Sequence, residues 1–162
     1  MREDGGSNGT NRKQNDFCNF GKPGRGNHPM NCVDWKEAET YCGAQDKRLP
    51  TEEEWEWAAR GEAQGRTHPW GSEAPPGRSC SSRPNSGTCP VGAFPLGDAP
   101  FGIHDMAGDV WEWTASTANA PGSPHVIRGG GWHTGGASWL TAAVRHFDLL
   151  TRSNNAGFRC AR

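Results

Sequence analysis

The chain has 162 residues, the size of one domain, and its 17 basic and 18 acidic residues leave a net charge of -1. Its 23 glycines and 12 prolines form about a fifth of the sequence, against roughly 12% in average usage, which excludes helical bundles and coiled coils. Eight tryptophans indicate a chain that folds, because each ring buries roughly 150–250 Å². We therefore expect a loop-rich domain with an aromatic core.

The same composition excludes several classes of partner. Balanced charge gives no basic surface for nucleic acid, so we expect no nucleic-acid partner. No apolar run approaches the ~18 residues of a membrane span. Residues 1–14 are polar and have no apolar h-region, so we expect no signal peptide in this sequence. Residues 1–16 are predicted to be a disordered polar tail, and residues 17–162 the folded domain.

Six cysteines are present without any Cys-x2-Cys pair, which argues against a metal cluster. An even number favours disulfides over free buried thiols, and with them a secreted, periplasmic or cell-surface location. Cys80 and Cys89 flank a turn-rich stretch and would close a short loop.

Two helices are predicted from their capping signals. Asp34 followed by Glu37 forms a capping-box pattern, and the helix that it begins should end at Gly43. Thr51 is a suitable N-cap for a second helix, because its hydroxyl can accept a hydrogen bond from a free backbone N–H of the first turn. Three glutamates follow it in that first turn, where the helix dipole favours negative charge. This second helix should end at Gly61.

Beyond Gly65 the chain breaks into short apolar segments separated by Gly- and Pro-rich turns. Each segment suits a strand of a small antiparallel sheet and is too short for a helix. Helices followed by strands predict the α+β class. The five predicted strands are residues 89–94, 110–113, 125–128, 140–144 and 157–160.

Several motifs, taken together and in order, resemble the formylglycine-generating enzyme (sulfatase-modifying factor) family over residues 27–162. The resemblance implies that family's variant of the C-type-lectin fold, with two helices, short strands and mostly irregular loops. Relatives usually carry a preceding segment with an opening strand; the polar residues 1–16 do not resemble it, so we expect either a truncated domain or a strand supplied from elsewhere. The motifs are residues 31–35, 48–61, 69–71, 90–92 and 101–114, the Arg128-Gly129-Gly130-Gly131-Trp132 segment, and the closing Gly157-Phe158-Arg159-Cys160-Ala161-Arg162.

The resemblance also bears on chemistry. Active members of the family hold copper with two cysteines that follow an Arg-Gly-Gly-Ser segment, and thiolates suit Cu(I). Residues 131–139 of this chain contain no cysteine, so we expect no copper and no formylglycine synthesis. An oxidase with altered chemistry is the alternative. The resemblance implies a Cys42–Cys160 disulfide, and proximity and elimination then pair Cys80 with Cys89 and Cys18 with Cys32.

Calcium is the ion that the sequence favours. Asp105, Asp109 and Glu112 lie close together in a glycine-containing loop, and Ca²⁺ takes carboxylate and carbonyl oxygens. The resemblance implies a structural site at Asp109, Val110 and Glu112. Alternatively, Glu112 caps a turn or pairs with an arginine such as Arg128 or Arg145.

The last forty residues suggest recognition. Aromatic, small polar and aliphatic side chains are interleaved there between the glycine- and arginine-containing family motifs, and this mixture is typical of binding loops. Alternatively, these side chains only pack the loops against the domain and have no role in binding. The segment also resembles the variable region of proteins diversified by retroelements (diversity-generating retroelements), which end in a similar Gly-Phe-Arg motif. We therefore predict a non-catalytic domain that binds a protein, small-molecule or carbohydrate ligand through residues 133–155. The candidate binding residues are His133, Thr134, Ser138, Trp139, Val144, His146, Phe147, Asp148, Leu149, Leu150, Ser153 and Asn154.

Overall fold

The computed structural model describes residues 16–61, 65–83, 86–120, 122–148 and 152–162, so the predicted tail falls outside it except for Asp16. Both predicted helices are confirmed. Helix α1 spans Trp35–Gly43, and Asp34 and Glu37 form the reciprocal capping box. Helix α2 spans Glu52–Arg60 and ends at Gly61, whose φ of 69° is the left-handed conformation that glycine adopts readily.

Four short strands form one sheet in the order β3-β2-β1-β4. They are β1 (Trp111–Thr117), β2 (His125–Arg128), β3 (Arg145–Asp148) and β4 (Ala156–Phe158). The α+β class is confirmed. The prediction of an antiparallel sheet was wrong in one respect, because β4 runs parallel to β1 and the sheet is mixed.

Two of the predicted strands are not strands. In residues 89–94, Pro90 cannot donate to a ladder, and the chain turns at Gly92, whose φ is 73°. In residues 140–144, the carbonyls of Ala142 and Val144 accept hydrogen bonds from the Arg128 guanidinium. The buried Arg128 side chain, rather than a neighbouring strand, therefore satisfies these carbonyl groups. Strand β3 begins just after this segment, at Arg145.

Alternation along β1 gives the sheet two different faces. Trp111 and Trp113 pack with Ala38 and Cys42 of α1 in the main apolar core. The residue between these tryptophans, Glu112, points the other way and contacts α2. Each helix therefore covers one face of the sheet, and β1 supplies side chains to both.

A buried arginine of β2 links the sheet to helix α2. Arg128 is almost fully buried, and its Nη2 lies 2.7 Å from a carboxylate oxygen of Glu56 and 3.3 Å from one of Glu52. Arg145 of β3 pairs with the same Glu52 at 2.7 Å. Buried charges need such partners, and here the partners hold β2, β3 and α2 together.

All six cysteines form disulfides: Cys18–Cys32, Cys42–Cys160 and Cys80–Cys89. These are the expected pairs. None of the helices in the described ranges is both long and apolar enough to cross a membrane.

The disulfides should differ in their effect on stability. The Cys42–Cys160 disulfide joins residues 118 positions apart, and the Cys80–Cys89 disulfide joins residues only 9 positions apart. A disulfide that closes a longer loop removes more conformational entropy from the unfolded chain. We expect Cys42→Ser/Cys160→Ser to lower the free energy of unfolding by about 2–5 kcal/mol in urea titrations. The control, Cys80→Ser/Cys89→Ser, removes two buried cysteines, whereas Cys160 is only partly buried, and should still cost less. An equal or larger loss in the control would contradict the loop-length argument.

Candidate functional site

Three consecutive glycines follow β2 and set the position of the loop beyond it. Gly129 and Gly130 have φ values of 95° and 73°, which glycine tolerates best. A Cβ on Gly131 would lie 1.9 Å from Oδ1 of the buried Asn155, so any side chain at this position would force the Asn155 amide to move. Trp132 then donates its backbone N–H to the Asp109 carbonyl at 2.8 Å. The glycines thus allow the chain to pass tightly beside the C-terminal segment.

Residues 133–140, the groove loop, are fixed at both ends. Thr134 forms a tight turn with Gly131, because its N–H donates to the Gly131 carbonyl and its Oγ1 accepts from the Gly131 N–H. At the other end, Leu140 is buried, and its carbonyl lies 3.0 Å from Nδ1 of His68. Between these anchors, Trp139 leaves 47% of its surface exposed.

This loop forms one wall of a cavity of about 310 Å³, the aromatic groove. Trp111 of β1 and His146 of β3 form the opposite side, with ring centroids 5.7 Å apart. Four rings and one hydroxyl therefore line this groove, which is open to solvent. The lining residues are Trp111, His133, Thr134, Gly135, Trp139 and His146.

The structure brings together four of the predicted binding residues: His133, Thr134, Trp139 and His146. Trp111 and Gly135 were not predicted. Trp111 lies in a strand more than twenty residues earlier and has the pattern of a core residue, so only the strand pairing reveals it.

The other candidates lie elsewhere. Phe147 is next to His146 in a strand, so it points to the opposite face, where the Arg145 guanidinium lies 5.1 Å from its ring centroid. Val144 packs against the main core, and the Asn154 carbonyl accepts the indole N–H of Trp132. Leu149 and Leu150 lie outside the described residues. The remaining candidates that do not line the groove are Ser138, Asp148 and Ser153.

A second cavity, of about 300 Å³, contains the residues predicted to bind calcium and is called here the acidic cavity. The carboxylates of Asp105, Asp109 and Glu112 line it, with the Arg159 side chain. Asp109 accepts a hydrogen bond from the Cys89 N–H at 3.0 Å. Within the described residues, neither Asp105 nor Asp109 forms an ion pair.

Glu112 has an arginine partner, but neither of the two named from the sequence. Its Oε2 accepts from Nε of Arg159 and from the Trp55 indole, both at 2.6 Å, and its Oε1 accepts from Nη2 of Arg159 at 2.7 Å. Arg128 and Arg145 pair with α2 instead. Sequence distance hid this contact, because Arg159 reaches β1 through the parallel pairing of β4.

Burial dominates the electrostatics of the two aspartates. It raises the pKa of Asp109 to about 7, and the nearby charges of Asp105 and Glu112 add to the effect, while the Cys89 N–H opposes it. Burial also raises the pKa of Asp105. Both carboxylates are therefore costly to ionise in the folded chain.

The fit of calcium to this cavity is partial. The Asp109 carboxylate and the Val110 carbonyl are suitable oxygen ligands, and Asp109 lacks a counter-ion among the described residues. Glu112 does not fit in this arrangement, because Arg159 and Trp55 use both of its oxygens. The described part of the chain has no group of three or more Asp, Glu, His or Cys side chains suited to a metal.

Comparison with known proteins gives consistent results. Residues 3–162 match the model of the sulfatase-modifying factor enzyme 1-like domain. The chain is 38% identical over 157 residues to Inactive C-alpha-formylglycine-generating enzyme 2 of Bos taurus, covering 82% of this chain and 50% of that protein. It is 34% identical over 168 residues to Formylglycine-generating enzyme of Mus musculus, covering 85% and 45%. The chain thus spans about half the length of these curated relatives.

Among solved structures, Treponema denticola variable protein 1 superposes with a TM-score of 0.68 at 22% identity, over 86% of this chain and 72% of that one. At this identity the likeness concerns the fold alone. It agrees with the fold expected from the sequence motifs, including their resemblance to variable proteins.

The raised pKa of Asp109 predicts a pH-dependent stability. Between its ordinary pKa of 3.8 and about 7, the folded chain keeps a proton that the unfolded chain releases. The free energy of unfolding should therefore fall as the pH rises through this interval. In urea titrations from pH 4 to 8, Asp109→Asn should reduce the slope, leaving the part due to the other groups whose pKa is shifted, including Asp105, His28, His104 and His125. The exposed Asp46→Asn should keep the wild-type slope. A profile for Asp109→Asn parallel to that of the wild type would contradict the assignment.

Proposed function

Because this chain belongs to the sulfatase-modifying factor enzyme 1-like family and has no cysteine near its groove loop, we propose that it is a non-catalytic binding domain. Its ligand occupies the aromatic groove. The observation that carries the proposal is the convergence of His133, Thr134, Trp139 and His146 on one cavity, although they come from two separate parts of the chain.

Cysteine chemistry supports the non-catalytic part of the proposal. The two thiolates that copper would need are lacking, since every cysteine is in a disulfide. Thr134 and His133 stand in the loop where the family resemblance places that pair, and a hydroxyl and an imidazole do not supply the soft ligands of Cu(I). One similar protein is itself called inactive.

The make-up of the groove supports binding. It combines large aromatic faces with a few polar groups, as ligand sites do, and its volume is near the lower end of ligand pockets. Trp139 is half exposed although it is among the most apolar residues of the loop. Exposed tryptophans are enriched at sites of recognition. The three disulfides suit an oxidising compartment, so we propose that the ligand is met outside the cytoplasm.

A retroelement-diversified origin is a further part of this proposal. It would explain why recognition residues are concentrated in one loop on a fixed frame. A near-identical repeat of the gene's 3′ end that differs only at adenines would support it, and a complete locus without that repeat would contradict it.

The binding function is tested by fragment screening with ¹H–¹⁵N spectra. Fragments that bind should shift the indole resonance of Trp139 and the amides of the groove loop. Trp139→Ala should weaken them about tenfold or more, since a large contact surface is lost. The control is Trp57→Ala, which removes a tryptophan that is 53% exposed on α2 and should leave affinity unchanged. Hits confined to other surfaces, or turnover of a thiol peptide with copper in an oxygen-consumption assay, would contradict the proposal.

We also propose that calcium binds in the acidic cavity through Asp109 and the Val110 carbonyl. A divalent cation there would supply the counter-charge that Asp109 lacks. At pH 8, where this carboxylate is ionised, millimolar calcium should raise the thermal midpoint of the wild type and leave Asp109→Asn unchanged. The same shift in both proteins, or no shift in the wild type, would contradict the proposal.

A further inference from the structure

A second groove lies against the aromatic groove. It has a volume of about 370 Å³ and is called here the serine groove. The groove loop separates the two, because Gly135 lines the aromatic groove and the next residue, Gly136, lines the serine groove. The residues that line it are Pro75, Pro76, Gly77, Ser79, Ser81, Ser82, Gly136, Ala137 and Leu140.

Among the residues that the structure describes, neither groove is lined by an aspartate, glutamate, lysine or arginine. This is informative in a chain in which 22% of residues are charged. The acidic cavity, by contrast, has three carboxylates and a guanidinium. A charged group on a ligand that fills both grooves would therefore gain no ion pair with the described lining residues. The two grooves suit a neutral ligand.

The aromatic groove offers a flat apolar surface beside hydrogen-bonding groups. Trp139 has no ring partner among the described residues, whereas the exposed Trp57 is stacked on Phe101 at 6.0 Å between centroids. A face of the Trp139 indole is therefore available to a ligand. His133, Thr134 and His146 supply donors and acceptors around it.

The serine groove offers hydroxyls. Oγ of Ser79 and Oγ of Ser81 are 2.9 Å apart and bond to each other, so one hydroxyl proton of the pair is left to donate. Ser82 is held by its N–H, which donates to the Thr134 carbonyl at 3.0 Å. The second groove is thus tied to the groove loop through Thr134.

We propose that the two grooves are neighbouring subsites for a neutral oligosaccharide. A sugar ring has an apolar C–H face and an edge of hydroxyls. The face stacks on Trp139 while the edge bonds to the imidazoles and Thr134, and the hydroxyls of the adjoining unit bond to Ser79 and Ser81. Each groove is small enough to suit one unit. This inference rests on the proposed function, because the aromatic groove is the same site, and it requires no calcium.

Saturation-transfer NMR and calorimetry with maltotriose, cellotriose, chitotriose and mannotriose test this inference on the full chain. At least one trisaccharide should bind, and its monosaccharide should bind more weakly. Trp139→Ala should reduce affinity for both about tenfold or more, which corresponds to ~1.4 kcal/mol. Ser81→Ala should weaken the trisaccharide and leave the monosaccharide unchanged. Trp57→Ala serves as the control, and near-UV circular dichroism checks that each variant is folded.

The outcomes separate this inference from the proposal beneath it. If none of the four saccharides binds, or if Trp139→Ala binds them as the wild type does, the oligosaccharide inference is wrong. If uncharged tripeptides bind in a Trp139-dependent way and the saccharides do not, the binding function stands and the ligand is peptidic. If neither saccharides, tripeptides nor fragments bind in a Trp139-dependent way, both proposals are wrong.

Discussion

The carboxylate of Glu112 is the contact on which the arrangement of this fold depends. It is 4% exposed, and it joins the indole of Trp55 in α2 to the guanidinium of Arg159 beyond β4. A buried charge that loses its partner is strongly destabilising. Glu112 is therefore stable only when α2, β1 and the segment after β4 pack together. The parallel pairing of β1 with β4 places Arg159 beside Glu112.

Adjacent residues of β1 line different cavities, because successive side chains of a strand point to opposite faces of the sheet. Trp111 packs into the main core and lines the aromatic groove, whereas Glu112 faces the acidic cavity. A shift of β1 by one residue would turn each of its side chains to the other face of the sheet, so that the Glu112 carboxylate would enter the apolar core and a tryptophan would take its place in the acidic cavity. The pairing is thus strongly specified, even though each strand is short.

The helices could be predicted from the sequence because their signals are local: a capping-box pattern at Asp34, an N-cap followed by glutamates at Thr51, and a glycine stop at Gly61. The strands were predicted less well, since an apolar run such as residues 140–144 has no local mark that its carbonyls bond to Arg128. The parallel strand pair is a long-range property that short segments do not encode.

The candidate site shows the same division. His133, Thr134, Trp139 and His146 could be found from the composition of one loop region, but strand alternation removed Phe147 and strand pairing added Trp111. The Glu112–Arg159 pair was missed for the same reason, because it depends on which strands become neighbours.

The groove loop is fixed by bonds that do not involve most of its side chains. Its anchors are the backbone of Gly131 and Ser82, the Thr134 hydroxyl and the buried Leu140. The half-exposed Trp139 side chain projects from this frame, and the His133 ring packs edge-on against Trp132, with 5.2 Å between ring centroids. The domain is thus suited to serve as a scaffold, in which new recognition chemistry is installed by exchanging a handful of residues while the folded framework stays the same.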